Sequence, residues 1–340
     1  MSAEPDSSAQ PDGHGLSTAG TPSAPCSVGA MTPGSSTPQS TAARSAVGVA
    51  ATADTATALL RASPLPALEA RILLAQALGW RRTELITRGD EPLQQSQAAA
   101  YRTLEERRCA GEPIAQIVGA REFYGLQFEV TRDVLIPRPE TELLVETTLA
   151  AIEPLRNPRV LDLGTGSGAI AVAVASARPD ARVWALDRSS EALAVAARNV
   201  AKLVDPHRAG GSIHLIQSDW YAALDPSLSF DVIVSNPPYI AATDPHLTAG
   251  DLRFEPRGAL TDEADGLSAI RAIIDGARAY AVPGGQIWIE HGYDQAAAVR
   301  ALLTGEGFAE VHSLADLAGI ERISGAVTPS AGFVTDHAAR

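Results

Sequence analysis

Two cysteines, Cys26 and Cys109, in 340 residues are too few for a disulfide framework, and a reducing compartment fits that scarcity. No window approaches the roughly 18 apolar residues that a membrane span needs. The start, MSAEPDSSAQ, lacks the basic and apolar regions of a signal peptide. A cytoplasmic chain without membrane contact is expected. Positive charge is also scarce, because 27 basic against 40 acidic residues leave −13, which repels polyanions at long range. Direct nucleic-acid binding is therefore not expected. Lys202 is the only lysine, so every other basic residue is an arginine, which keeps its charge wherever it is buried.

The length exceeds one ordinary domain, and the composition divides the chain. Of residues 1–50, 36 are Ser, Ala, Pro, Gly or Thr, none is aromatic, and only Leu16, Val28, Val47 and Val49 are larger aliphatics. Such a segment cannot bury enough apolar surface to offset its ordering entropy, and a disordered tail is expected. From about Thr55 the pattern is helical. Leu68, Ile72, Ala75 and Leu78 share one face between Pro66 and Gly79, and a second helix is expected from Pro92 to Arg108 on Leu93, Ala100, Leu104 and Arg107. This gives a small helical domain over 55–111, a docking module without catalytic residues. Over 112–137 the period becomes two, with Leu126, Phe128 and Val130 alternating with Gln127 and Glu129, which predicts a β-hairpin linker. Helical spacing returns from Glu140 to Ile152, through Leu143, Leu144, Thr147 and Ala151.

From 158 to about 326 short apolar runs alternate with helical segments: RVLDL, AIAVAVASA, RVWALD, SSEALAVAARNVAKL, IHLIQSD, FDVIVSN and later QIWIEHG. Such alternation implies right-handed crossovers and a mostly parallel sheet, whose ligands bind beyond the carboxyl ends of the strands. After the first strand comes Asp162-Leu163-Gly164-Thr165-Gly166-Ser167-Gly168-Ala169. Gly164, Gly166 and Ala169 satisfy the dinucleotide fingerprint, while Asp162-x-Gly164-x-Gly166-x-Gly168 resembles the first motif of S-adenosylmethionine-dependent methyltransferases. Asp187, ending the second strand, suits the ribose of either cofactor. A bare strand-to-helix turn is the plain alternative. Asp162, Asp187 and Asp219 at strand ends lean toward an acidic pocket for a cationic cofactor, and Trp220 offers an apolar face to an adenine.

The fourth strand, Phe230 to Ser235, runs into Asn236-Pro237-Pro238-Tyr239. Two prolines fix the backbone and remove two donors, so the Asn236 side-chain oxygen and the Pro237 carbonyl form an acceptor pair suited to an NH₂ group. An amide nitrogen is a weak nucleophile. Holding both its hydrogens aims the remaining lone-pair direction at a methyl donor, and Tyr239 can pack on the flat face of the group. No general base and no metal are required. An ordinary Pro-Pro turn with Asn236 as a turn residue is the alternative.

These residues resemble the protein-(glutamine-N5) methyltransferases that modify peptide chain release factors, the PrmC/HemK family. The resemblance covers roughly 55–326 and includes Gly111-Glu112-Pro113-Ile114, Arg121-Glu122-Phe123-Tyr124-Gly125, Val134-Leu135-Ile136-Pro137-Arg138-Pro139-Glu140-Thr141-Glu142, Phe254-Glu255-Pro256, Asp265-Gly266-Leu267 and Glu290-His291-Gly292. It implies an α/β fold: a Rossmann-like seven-stranded methyltransferase sheet over 138–326, with the helical domain and hairpin before it and a C-terminal tail over 327–340. S-adenosylmethionine would lie on Gly164, Thr165, Gly166, Ser167, Gly168, Asp187, Trp220 and Asn236. Asn236, Pro237, Pro238 and Tyr239 would grip the glutamine of a release factor's Gly-Gly-Gln loop, with Asn236, Pro237 and Tyr239 as the catalytic residues. Phe123 and Glu140 would lie near the mouth, and the enzyme is expected to be a monomer. Ribosomal-protein glutamine methyltransferases share the hairpin region but differ after the Ile-Pro-Arg step. Nucleic-acid exocyclic-amine methyltransferases share the Asn-Pro-Pro-aromatic loop but normally bring a basic recognition surface. The first 50 residues and a loop at Asp205 to Gly211 depart from the family pattern.

Overall fold

The computed structural model describes residues 54–248 and 250–330. The expected tail at 1–50, Cys26 within it, and residues 331–340 of the expected C-terminal tail lie outside the described residues.

The helical domain consists of α1 (Ala56–Ala62), α2 (Ala67–Leu78), α3 (Arg82–Thr87) and α4 (Gln95–Cys109). Thr55 caps α1 by accepting from the Ala58 amide, and α2 stops where Gly79 adopts φ 64°, a left-handed C-cap. The buried face of α2 is not the expected one. Ala70, Leu73 and Leu74 are buried, while Leu68 is 62% exposed. In α4 the core residues are Ala98 and Tyr101, Ala100 faces solvent, and the helix begins three residues after Pro92. Both helices carry small residues on several sides, so neighbours rather than hydrophobic spacing choose the buried stripe.

The span from Glu112 is not extended throughout. Pro113 and Gly119 bracket a short helix, α5 (Ile114–Val118), before β1 (Ala120–Phe123) and β2 (Leu126–Glu129) form the hairpin. Its two turn residues, Tyr124 and Gly125, have φ 51° and 75°, the left-handed pair that a two-residue hairpin needs. Glu142 accepts from the Tyr124 amide at 2.9 Å, which helps hold a non-glycine residue there. Phe123 and Phe128 meet edge to face inside the core, so Phe123 is hairpin core rather than a mouth residue. Glu142–Ile152 forms α6 with Leu144, Val145, Thr148 and Ile152 inward, and Glu140 stands exposed before it.

The larger domain alternates β3 (Arg159–Leu163), α7 (Ala169–Ala177), β4 (Arg182–Asp187), α8 (Ser190–Leu203), β5 (His214–Gln217), β6 (Phe230–Ser235), α9 (Arg257–Leu260), α10 (Ser268–Tyr280), β7 (Ala281–Glu290), α11 (Ala296–Gly305), β8 (Ala309–Ala315) and β9 (Glu321–Val327). The seven strands run in the order β5-β4-β3-β6-β7-β9-β8, parallel except for the β9 pairings. β9 includes Val327, and the Thr328 amide bonds the Gly285 carbonyl, so the sheet reaches slightly past the expected boundary.

Alternation along each strand feeds two cores. Val160, Val183 and Val234 meet α6 and α7 on one face, while Leu161, Leu163, Ile233 and Ile289 meet α10 and α11 on the other. Strand order reverses between β3 and β6, which opens a crevice at their carboxyl ends.

Candidate active site

Register places the two sequence motifs side by side. Leu163 pairs with Ser235, so the glycine loop leaving β3 and the Asn-Pro-Pro-Tyr loop leaving β6 start abreast. Leu163 also pairs with Leu186, which brings Asp187 to the other flank. The Thr165 amide donates to the Leu186 carbonyl at 2.8 Å and the Gly166 amide to Asp187 Oδ2 at 2.9 Å. Gly164, Gly166 and Gly168 all have positive φ (71°, 56° and 81°), a run that side chains would strain. A Cβ on Gly166 would meet open space, and one on Gly168 would lie 3.3 Å from Ala196 of α8. Gly166 therefore faces the crevice, whereas Gly168 lets α7 pack closely on α8.

A cavity of about 220 Å³ fills the crevice. Gly164, Thr165, Gly166, Ser167, Asp187, Trp220, Asn236 and Pro238 line it; Gly168, Pro237 and Tyr239 do not. Trp220 holds φ 47°, a left-handed conformation costly for a bulky residue, and its ring edge lies beside Gly164. The Tyr239 ring packs into the second core, and its hydroxyl points to Glu290 Oε1 at 3.5 Å. Burial pushes the Tyr239 hydroxyl well above its usual pKa, so it stays protonated.

Asp162 does not border the cavity. Strand alternation puts it on the Val160 face beneath α7, fully buried, where Oδ2 accepts from Thr165 Oγ1 at 2.6 Å and the Ala171 amide at 3.3 Å. Burial pushes its pKa up to about 7. Three aspartates still line the cavity, Asp133 standing in for Asp162 beside Asp187 and Asp219, but Arg138 and Arg188 line it too, and Arg138 is paired with buried Glu255.

Asn236 is the distinctive group. Its Nδ2 donates to Thr141 Oγ1 at 3.0 Å, while its Oδ1 is buried without a hydrogen-bond partner. A buried acceptor left open beside a cavity is costly unless a ligand donor fills it. Sequence reasoning assigned no role to Thr141, Glu255 or Glu290. Glu255 accepts from the Ile136 amide at 2.9 Å and pairs with Arg138, fixing the Ile-Pro-Arg run along the cavity wall. Glu290 ends β7 much as Asp187 ends β4, and that shared strand-end pattern was the available signal.

A doubly wound sheet with a glycine loop at its switch point, and an Asn-Pro-Pro-Tyr turn leaving the adjacent strand, defines a methyltransferase of the α/β class. The PrmC N-terminal domain matches residues 53–119 and the methyltransferase small domain matches residues 139–252. The release factor glutamine methyltransferase of Burkholderia pseudomallei is 70% identical over 275 residues, covering 81% of this chain and 96% of that protein. That of Bordetella pertussis is 55% identical over 267 residues, covering 78% and 97%. A solved release-factor-specific protein-(glutamine-N5) methyltransferase from Alicyclobacillus acidocaldarius is 30% identical, covers 59% of this chain and 99% of that one, and has a TM-score of 0.36. The chain belongs to the release factor glutamine methyltransferase family.

Proposed function

We propose that this chain transfers a methyl group from S-adenosylmethionine to the side-chain amide nitrogen of a glutamine in a peptide chain release factor, the Gly-Gly-Gln loop being the expected target. The observation that carries this reading is Asn236 Oδ1, buried, open and held in place through its own amide nitrogen. It accepts one amide hydrogen of the substrate, and the Pro237 carbonyl, next to the cavity wall at Asn236 and Pro238 rather than part of it, is assigned the other, with no proline N–H to compete. Two acceptors favour the positive charge that develops on nitrogen as the N–C bond forms. The nitrogen then loses a proton to water, so no side chain is assigned as base.

The cavity residues fit the donor. Gly166 presents bare backbone to open space, Asp187 keeps spare lone pairs for two hydroxyls, and Trp220 supplies a flat apolar wall. When bound, S-adenosylmethionine supplies a methyl group on a positively charged sulfur. The helical domain docks the body of the release factor, because the grip alone sees only an amide and cannot choose among exposed glutamines. The enzyme acts as a monomer in the cytoplasm, without membrane or nucleic acid; no helix among the described residues is long and apolar enough to cross a membrane.

Intact-mass analysis of a purified release factor, incubated with enzyme and methyl donor, should show one added methyl group on the loop glutamine. Asn236→Ala should lower kcat at least about a hundredfold while donor binding largely survives. Label entering ribosomal protein, DNA or RNA in place of the release factor would end the reading.

A further inference from the structure

The grip on the substrate depends on which end of the Asn236 amide faces the crevice. The two ends have nearly the same shape, so packing cannot distinguish them. Turned over, the side chain would present NH₂ to NH₂, and donor would meet donor.

Thr141 is the group that claims the nitrogen end. It is 4% exposed, sits where the Pro139–Thr141 turn meets α6, and accepts from Asn236 Nδ2 at 3.0 Å. A hydroxyl can donate as well as accept, however. Were its hydrogen free to swing toward Asn236, it would draw the oxygen end instead and cancel the choice. That hydrogen therefore needs another acceptor, and the buried Glu290 carboxyl, on which the Thr141 hydroxyl acts, is the group in reach. Ser235 pairs with Ile289, so Glu290 lies abreast of Asn236 at the end of the neighbouring strand. Its carboxyl is 2% exposed, receives the Tyr239 hydroxyl at 3.5 Å on Oε1, and leaves Oε2 without a partner.

We propose that Thr141, backed by Glu290, is a positioning residue that fixes the Asn236 amide with its oxygen toward the substrate nitrogen. This rests on the proposed grip by Asn236. The groups around Glu290 support it. Burial pushes the Glu290 carboxyl up to about 7, against the pull of the Thr141 hydroxyl, and the other groups facing it are Glu140, Arg322 and Tyr239. An ionised Glu290 can only accept, which holds the Thr141 hydrogen away from Asn236. A protonated one can donate to Thr141 and release it.

Thr141→Val, which keeps the shape and removes the hydroxyl, should lower kcat on the order of tenfold, because the buried Asn236 nitrogen loses its acceptor. The KM for release factor and donor affinity should stay within about twofold, and Thr141→Ser should restore turnover. Glu290→Gln should lower kcat by less in the native background and cause no additional loss in Thr141→Val, since both act through one hydroxyl. It should also flatten the fall of kcat as pH drops through about 7. Native-like turnover by Thr141→Val, failure of Thr141→Ser to restore it, or additive losses would each overturn the proposal. If Thr141→Val unfolds, Thr141→Ser and the Glu290→Gln pH profile still decide. Full turnover by Asn236→Ala would instead overturn the underlying reading of the grip.

Discussion

Asn236 and Asp162 each carry a buried oxygen without a hydrogen-bond partner, and the two are unpaired for different reasons. Asn236 lines a cavity that a ligand can enter. Asp162 lies beneath α7, where no ligand reaches and where its role is to brace the glycine loop through Thr165. Neutral Asp162 suits that place, and burial raises its pKa from 3.8 to about 7. The sign follows from linkage. A carboxyl that holds its proton more tightly when folded contributes stability at pH below about 4, and that contribution is lost as pH rises through about 7. Asp162→Asn keeps an acceptor for Thr165 and cannot ionise. Relative to the native chain it should therefore gain stability on the order of 2 to 3 kcal/mol between pH 5 and pH 8. Urea melts at the two pH values check this, and a pH-independent difference would show that Asp162 ionises without cost.

Among the elements, the Ile-Pro-Arg run and the Phe-Glu-Pro turn are joined by Glu255, whose carboxyl takes the Ile136 amide and the Arg138 guanidinium. Removing Arg138 alone leaves a buried carboxylate without its cation, so Arg138→Ala should cost about 3 kcal/mol. Arg138→Ala with Glu255→Gln should recover most of that, because glutamine still accepts from Ile136 and carries no charge. Chemical denaturation of the single and double variants distinguishes this from a simple loss of packing, in which the second change would bring no recovery. The same clamp shows where sequence reasoning stopped. Strand ends, the glycine loop and the Asn-Pro-Pro-Tyr turn were legible, because each is contiguous and its chemistry follows from local backbone rules. Glu255 and Thr141 were legible only as parts of a family resemblance, and Glu290 only as part of it and as a strand end, since their partners lie far away in sequence and meet only in the folded chain. The helix faces around Leu68 and Ala100 differ from the expected ones for a related reason: Ala-rich helices have several acceptable stripes, and tertiary neighbours select one.

Across the whole molecule, the helical domain is clasped to the loop that follows Asn-Pro-Pro-Tyr. Arg108 of α4 bonds both oxygens of Glu69 and also Asp251, Gln116 donates to the Phe254 carbonyl at 3.1 Å, and Arg253 donates to the Ala110 carbonyl at 2.7 Å. A protein held on the helical domain is thus held at a fixed distance from the grip. On that domain Leu68 of α2 and Ile86 of α3 stand 62% and 84% exposed, large apolar side chains on two helices that pack together. Exposed apolar side chains that lie together on one surface are the usual anchors of a protein–protein contact, so these two are the natural source of affinity for a protein substrate. Replacing both by aspartate should raise the KM for intact release factor about tenfold and leave kcat nearly unchanged, because the reacting groups are untouched. Methylation of a short glutamine peptide, which reaches the crevice without docking, should not change. Steady-state kinetics on the two substrates test the division of labour directly. An equal loss on both would mean that the helical domain braces the active site, and no loss on either would move the docking surface elsewhere on the molecule.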